Sequence, residues 1–374
     1  MPAVSFHDYI PAVMLLGFLN GSVLAFLLRR RRWYGYGGIG GVLSAAACAA
    51  YFRYPSGYLT AGAWETALAY AACGWIAASV IAFPLLLVLS CFSLWGRART
   101  FCAALGVLAA SAAAGIGAYG VTFGAAGVEV HEVPVDIRGL PPAFEGYRIA
   151  QISDMHIGPY YSPSDLDAAL LAAARSGADL VAVTGDLIDD NRVMPETGQV
   201  LGAWKPAYPD GIIYVWGNHE YAHPREAVRQ GLLEAGVSLL ENESVCIERG
   251  TDRLYAAGVD YPWGGESRRE EEVRRMTEEA LRGIPAEQTL IFAHHPAYIG
   301  EGFRRGVPLT MAGHTHGIQS GIGGRPVFTP YTYTRGLYSD GIHAGYVSRG
   351  AGGWFPFRVG CSREIPLFVL HGEG

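Results

Sequence analysis

Charged residues are scarce in this chain of 374 residues: only 17% are Asp, Glu, Lys or Arg, whereas 50% are hydrophobic. Intrinsically disordered proteins have the opposite balance, so the composition excludes that class. The shortage is uneven, because residues 1–124 contain only two acidic residues and seven arginines. The rest of the chain contains 32 acidic and 21 basic residues, a net charge of −11. We therefore expect no nucleic-acid partner, because Lys and Arg contacts to phosphates supply that affinity.

Cysteine pairs with the spacing of a zinc site are also lacking. The chain has six cysteines and no Cys-x-x-Cys, which argues against a structural thiolate zinc site. Cys246 and Cys361 are the two cysteines outside the first 124 residues. They either form a disulfide or remain two unpaired thiols.

Long uncharged runs fill residues 1–124 and predict a transmembrane helical region, followed by a globular domain over residues 125–374. About 20 apolar residues cross a bilayer, and four spans are predicted at about 10–28, 34–52, 70–94 and 102–123. The second run is rich in Gly and Ala, so three or five spans are the alternatives. A cleaved signal peptide would explain the first run, but the arginines follow this run, whereas in a signal peptide they precede it.

The arginines also predict the orientation in the cell membrane. Arg29 to Arg32 follow the first predicted span, and Arg97 and Arg99 lie between the third and fourth, so these loops share one side. The other side has Arg53 alone. Because short cytoplasmic loops carry the excess of Lys and Arg, we expect a multi-pass protein with the globular domain on the extracytoplasmic side.

Five polar motifs in the globular domain each follow an apolar run of strand length. They are Asp154-Met-His156, Gly185-Asp186-Leu-Ile-Asp189, Gly217-Asn218-His219-Glu220, His294-His295 and Gly313-His314-Thr-His316. Ligands of open α/β sheets bind beyond the carboxyl ends of strands, so the five motifs predict one polar cluster. Carboxylate and amide oxygens mixed with imidazoles suit divalent Mn, Fe, Co, Ni or Zn. The sequence therefore predicts a site for two divalent metal ions.

The motifs resemble those of the calcineurin-like metallophosphoesterases. That family has Asp-x-His, Gly-Asp-x-x-Asp, Gly-Asn-His-Asp/Glu, a lone His and Gly-His-x-His, and all five are present between about Val128 and the C-terminus. The membrane-anchored bacterial branch is most similar, through Leu140-Pro-Pro-Ala-Phe144, Arg335-Gly-Leu-Tyr338 and Tyr346-Val-Ser-Arg-Gly350. The resemblance implies a four-layer α/β/β/α sandwich in which two mixed sheets lie between helices.

The resemblance also implies roles for individual residues. One metal would be bound by Asp154, His156 and His316, the other by Asn218, His294 and His314, with Asp186 bridging both. His219 would be the catalytic proton donor or would stabilise transition-state charge, and either Asp189 or Glu220 would orient its ring. Glu220 could instead be a helix N-terminal acid. His295 stands where this branch often has Asn, and His294 is the favoured metal ligand of the pair. Ile318 stands where Gly is common after the last motif, which could narrow the substrate pocket.

The implied activity is hydrolysis of a phosphate ester by a metal-bridging hydroxide. A phosphodiester is favoured over a phosphomonoester or a pyrophosphate, and the membrane anchor favours a lipid-linked or envelope substrate. Arg335, Arg349 and Arg358 could bind a second phosphate or form structural ion pairs. The mixed charges of residues 266–282 predict a solvated helix face. The alternatives are a catalytically silent metal-binding scaffold and a membrane sensor with a phosphoesterase-like domain.

Overall fold

The computed structural model describes residues 9–28 and 33–372 and divides into two compact units. The helical unit comprises Met1–Ala126 together with the short segment Phe355–Val359. The globular unit comprises Gly127–Trp354 and Gly360–Gly374. The predicted boundary after residue 124 lies two residues before this division. Arg29 to Arg32, on which the predicted orientation depends, lie outside the described residues.

Helices occupy the four predicted spans. They are α1 (Tyr9–Leu27), α2 (Trp33–Gly57), α3 (Ala63–Ser93) and α4 (Arg99–Val121). Within the described residues, two helical stretches are long and apolar enough to cross a membrane, namely Ala63–Ser93 and Gly96–Val121. The apolar part of α1 is the shorter Val13–Leu27. A bundle of four spans is therefore not confirmed and remains a prediction.

The glycines of α1 and α2 lie where these two helices touch. A Cβ atom at Gly17 would overlap the carbonyl oxygen of Gly40, and a Cβ at Gly40 would overlap that of Gly17. A Cβ at Gly21 would meet the Tyr36 carbonyl oxygen in the same way. Small residues allow this backbone approach, which is typical of helix pairs in membranes. The glycines that lower the hydropathy of α2 therefore have a packing role.

Strands and helices alternate in the globular unit. The strands are β1 (Val128–Ile137), β2 (Arg148–Ile152), β3 (Leu180–Thr184), β4 (Ile212–Val215), β5 (Ser238–Leu239), β6 (Glu243–Arg249), β7 (Asp252–Gly258), β8 (Thr289–Phe292), β9 (Leu309–Ala312), β10 (Gly336–Ser339), β11 (Ala344–Val347) and β12 (Arg363–Gly372). The helices are α5 (Pro163–Arg175), α6 (Met194–Trp204), α7 (Arg225–Glu234), α8 (Glu266–Ala280) and α9 (Tyr298–Arg305).

The strands form two six-stranded sheets, ordered β1-β12-β2-β3-β4-β5 and β10-β11-β9-β8-β7-β6. Each combines parallel and antiparallel neighbours, so the predicted pair of mixed sheets is confirmed. Strands β3, β4, β8 and β9 are buried along their whole length. Parallel strands covered on both faces have such continuous apolar sequences.

One apolar core lies between the two sheets. Ile149 and Leu180 of the first sheet belong to the same buried cluster as Leu290 and Met311 of the second. On the far face of the second sheet, Val273 of α8 and other helical side chains form another cluster with its strands. Helix α5 lies against β1 and β12 of the first sheet. The carboxyl ends of β2, β3, β4, β8 and β9 carry the five motifs.

Candidate metal centre

The first group of predicted ligands meets at the ends of β2, β3 and β9. Single ligand atoms of Asp154, His156, Asp186 and His316 all lie within 4.8 Å of one another, and the four residues are buried. The Nε2 atoms of His156 and His316 face each other at 3.2 Å. His316 Nε2 lies 3.4 Å from Asp154 Oδ1, and His156 Nε2 lies 3.7 Å from Asp186 Oδ2.

The second group shares Asp186 with the first. Ligand atoms of Asp186, His294 and His314 also lie within 4.8 Å of one another. His294 Nε2 is 3.1 Å from Asp186 Oδ2, while its Nδ1 faces the Thr184 carbonyl oxygen at 2.7 Å. That bond makes Nδ1 the protonated nitrogen and leaves Nε2 as the lone-pair donor. Asp186 is therefore the residue common to both groups.

Two further observations bear on the second group. Asn218 Oδ1 is buried and has no hydrogen-bond partner among the described residues, as expected of an oxygen that completes a coordination sphere. His295 accepts a hydrogen bond at Nδ1 from the Ala297 amide at 3.1 Å. The structure thus brings His294, and not His295, to Asp186.

The separations suit bound cations. Ligand atoms about 2.1 Å from a tetrahedral ion lie about 3.4 Å apart, close to the observed 3.1–3.7 Å separations. Two imidazole lone pairs at the His156–His316 distance repel each other unless a proton or a cation lies between them. Burial lowers the pKa of His294, but the neighbouring Asp186 carboxylate outweighs burial and raises the pKa to about 9. Asp186 thus favours positive charge on its neighbour His294, and the residues of the cluster fit two divalent ions.

The local backbone is shaped for this cluster. The φ angle is positive at Asp154, His156, Asp186, His314 and His316, between 50° and 73°. Each such residue costs about 1–2 kcal/mol, and strain of this kind concentrates at functional sites. Ile318 also has a φ of 65°. The Gly that is common at this position in the resembling family would adopt this conformation without strain.

Two glycines are required by close approach. A Cβ atom at Gly217 would overlap the Asp186 carboxylate, and one at Gly313 would overlap the Asp154 carboxylate. Any larger residue would displace the two carboxylates from the cluster. This contact explains the glycines that precede Asn218 and His314.

Asp189 connects the first group to His219. Its Oδ1 accepts hydrogen bonds from Nδ1 of His219 at 2.8 Å and from Nδ1 of His156 at 2.9 Å. Burial raises the pKa of Asp189, but the two histidines more than offset this and hold it below its usual range. Burial lowers the pKa of His219, but Asp186 and Asp189 reverse the shift and raise it to about 10.

Glu220 does not orient His219. Its buried carboxylate accepts hydrogen bonds from the backbone amides of Gly217, Asp186, Leu187 and Ile188, at 2.7 to 3.2 Å. It therefore holds the β3 loop against the β4 loop. Of the two carboxylates expected beside the His219 ring, only Asp189 contacts it. Glu220 is also the first residue of a short 3₁₀ helix, Glu220–Ala222, in agreement with the helix N-terminal interpretation.

Two tyrosines outside the five motifs also lie at the site, beside His295 of the fourth motif. The hydroxyls of Tyr331 and Tyr261 lie 3.3 and 3.5 Å from His314 Nε2. His295 packs against the His314 ring with centroids 5.0 Å apart. Burial, reinforced by the charge of His314, lowers the pKa of His295 to about 2. The tyrosines come from loops that carry no recognisable motif, so nothing in the sequence singled them out.

The three arginines that could bind a second phosphate differ in their contacts. Arg349 pairs with Glu364 at 2.6 Å and with Glu129 at 2.9 Å, which is a structural role. Arg335 donates from Nη1 to the Gly317 carbonyl oxygen at 3.3 Å. Arg358 is fully buried and lies in the segment that belongs to the helical unit. No disulfide joins Cys246 to Cys361.

Comparison with known proteins gives a family for this centre. Residues 147–317 match the family described as calcineurin-like phosphoesterase, which confirms the resemblance seen in the motifs. The uncharacterized metallophosphoesterase YkuE of Bacillus subtilis is 29% identical over 65% of this chain and 85% of its own length. A transmembrane protein with metallophosphoesterase domain from Danio rerio is 28% identical over 71% of this chain, which spans 62% of that protein.

Part of the chain also resembles a solved dimetal phosphatase from Danio rerio. It has 16% sequence identity and a TM-score of 0.33, and the similarity covers 55% of this chain and 88% of that one.

Proposed function

Because residues 147–317 belong to the calcineurin-like phosphoesterase family, we propose that this chain is a membrane-anchored phosphoesterase that uses two divalent metal ions. The observation that carries the proposal is Asp186, whose carboxylate belongs to two separate groups of ligand atoms. A bridging carboxylate is what a two-metal site for phosphoryl transfer requires. We favour a phosphodiester as the substrate class, with phosphomonoesters and pyrophosphates as alternatives.

Seven residues would hold the ions. Asp154, His156 and His316 would bind the first, Asn218, His294 and His314 the second, and Asp186 both. When bound, two such ions polarise phosphoryl oxygens and lower the pKa of water enough to give a nucleophile at neutral pH. The mixed oxygen and nitrogen ligands suit Mn, Fe, Zn, Co and Ni as a class and do not select one of these metals.

His219 would act on the leaving oxygen. Its Nδ1 is held by Asp189 at 2.8 Å, so a proton for transfer resides on Nε2. Its side chain is 34% exposed, unlike the buried His156, so a substrate can reach it. Nε2 lies 4.0 Å from Asp186 Oδ2, beside the metal ligands. Proton donation from this position would complete ester cleavage.

The membrane assignment supports a substrate class. Two helices are long and apolar enough to cross a bilayer, and one relative is named as a transmembrane protein. An enzyme held at the bilayer meets lipid-linked phosphates at high local concentration. We therefore propose a lipid-linked or envelope phosphate ester as the substrate and an extracytoplasmic catalytic domain.

Metal analysis combined with hydrolysis tests the proposal. The purified full-length protein should contain close to two transition-metal ions and hydrolyse bis(p-nitrophenyl) phosphate faster than p-nitrophenyl phosphate. Asp186→Ala should lose both ions and the activity, whereas Asp167→Ala, on the exposed side of α5, should keep both. A metal-loaded wild type without turnover would indicate a silent scaffold. Full metal content and activity in Asp186→Ala would exclude the dinuclear site.

A further inference from the structure

A cavity of about 310 Å³ opens beside the second group of metal ligands. His295 and Tyr331 line it, and both also contact His314. The cavity therefore shares two of its wall residues with the immediate surroundings of His314. Its other walls come from α8, α9 and the loop at Pro330–Tyr333.

Arg269 of α8 is the distinctive residue of this cavity. Its Nε is buried and has no hydrogen-bond partner, and its guanidinium forms no ion pair with the described residues. Elsewhere in the globular unit arginines are commonly paired, as Arg275 is with Glu279 on the same helix. A partly buried cation without a partner is costly. An unpaired arginine in an acidic domain thus requires an explanation.

The position of Arg269 on α8 directs it inward. Val273 and Met276, four and seven residues later, are buried against the second sheet, and residues at these spacings share one helix face. The charge of Arg269 also acts on the pKa values of Tyr261, His295 and Tyr331, which surround the His314 ring. Arg269 therefore lies on the side of α8 that faces the cavity, and its charge reaches the residues around His314.

The remaining charged residues of the cavity do not neutralise Arg269. Glu270 is exposed. Arg304 is already paired with Glu301, at 2.6 Å. Among the described residues, Arg269 is therefore the cation of this cavity that has no carboxylate partner.

We propose that this cavity binds a second phosphate of the substrate, held by the Arg269 guanidinium beside the aromatic rings of Tyr331 and Tyr333. The guanidinium fork matches phosphate oxygens in a bidentate geometry, and such charge-assisted bonds are among the strongest. The inference rests on the proposed phosphoesterase activity and narrows its substrate to an ester that carries another phosphate away from the scissile bond.

Two chromogenic esters that differ by one phosphate test the proposal. Thymidine 5′-(p-nitrophenyl phosphate) has only the scissile diester, and its 3′-phosphorylated form adds a second phosphate. Both release nitrophenolate from the same bond. The full-length protein and three variants, Arg269→Gln, Arg269→Lys and Arg274→Gln, are assayed on each. Arg274 is exposed on the same helix and does not line the cavity, so it is the matched control.

The wild type should prefer the 3′-phosphorylated ester in kcat/KM by about tenfold or more, the scale of a charged hydrogen bond. Arg269→Gln should abolish the preference and leave the rate on the simpler ester within about twofold. Arg269→Lys should keep part of the preference, and Arg274→Gln all of it. A wild type without preference, or a preference equal in wild type and Arg269→Gln, would overturn the proposal.

A binding measurement separates this proposal from the proposed function. If the wild type cleaves neither ester, the phosphoesterase assignment fails. Calorimetry with thymidine 3′,5′-bisphosphate still reports on the cavity in that case. Weaker binding to Arg269→Gln than to Arg274→Gln would support the anion site without catalysis, and equal binding would exclude it.

Discussion

At the residue scale, His219 differs from the other histidines of the centre because it is not in either ligand group with Asp186. His156, His294, His314 and His316 belong to the groups that include Asp186, whereas His219 clusters only with His156 and Asp189. Its Nδ1 is held by Asp189, which leaves Nε2 for chemistry. The geometry thus leaves His219 outside the two groups that share Asp186, as expected of the proton donor that we propose.

His219→Ala should therefore keep its metals while kcat falls by roughly 10² or more, the scale of general acid catalysis. The loss should shrink for esters with good leaving groups, because nitrophenolate needs little protonation. Metal analysis and a series of leaving groups measure both effects, with His223→Ala as the control. An equal loss for every leaving group would indicate stabilisation of transition-state charge instead.

Asp189→Asn should affect two functions, because one oxygen of Asp189 contacts both His156 and His219. Loss of the carboxylate weakens the orientation of a metal ligand and of the proton donor together. We expect metal affinity and kcat each to fall by about 10–100-fold, the usual effect of removing such a partner. A chelator titration beside the hydrolysis assay measures the two. Unchanged metal affinity would confine the role of Asp189 to His219.

At the element scale, the loops after β3 and β4 behave as one piece because Glu220 joins them. Its carboxylate accepts hydrogen bonds from four backbone amides, three in the β3 loop that carries Asp186 and one in the β4 loop. A carboxylate only accepts hydrogen bonds, so it suits a position surrounded by N–H donors. Glu220 therefore positions Asp186, whereas the His219 ring is held by Asp189.

Glu220→Gln places an NH₂ group against these donors and leaves at least one buried amide unpaired. An unsatisfied buried group costs about 1–3 kcal/mol, so Tm should fall by about 2–10 °C. Thermal unfolding of the full-length protein followed by tryptophan fluorescence measures this shift. The control is Glu226→Gln, whose side chain is 85% exposed. A Tm equal to that of the control would show that the four hydrogen bonds contribute little.

The sequence could predict the strand-end motifs because each lies directly after a buried, continuously apolar strand. Such strands are recognisable locally, and parallel strands deliver their carboxyl ends to one edge. Arg269 could not be predicted in this way. It stands in a run of mixed charges that indicated a solvated face, and only its spacing to Val273 and Met276 reveals the inward side. Tyr331 and the Glu220 clamp depend on tertiary contacts between loops, for which the sequence has no periodic signal.

At the scale of the whole molecule, the number of membrane crossings decides on which side of the membrane the globular unit lies. The glycine contacts between α1 and α2 involve Gly17, Gly21 and Gly40, and they give α2 a reason to be rich in glycine within a bilayer. With four crossings, the chain before α1 and the globular unit lie on the same side. With three, they lie on opposite sides.

We expect the globular unit outside the cytoplasm, because Arg29 to Arg32 and Arg97 and Arg99 outnumber Arg53. Cys246 tests this directly, since it is a free, exposed thiol of the globular unit. A membrane-impermeant maleimide should label intact cells that express the protein, and Cys246→Ser should abolish that label. Because Cys91 is also exposed, the variant is needed to assign the signal. Labelling of Cys246 only after lysis would place the domain in the cytoplasm, and a substrate in the cell envelope would then be excluded.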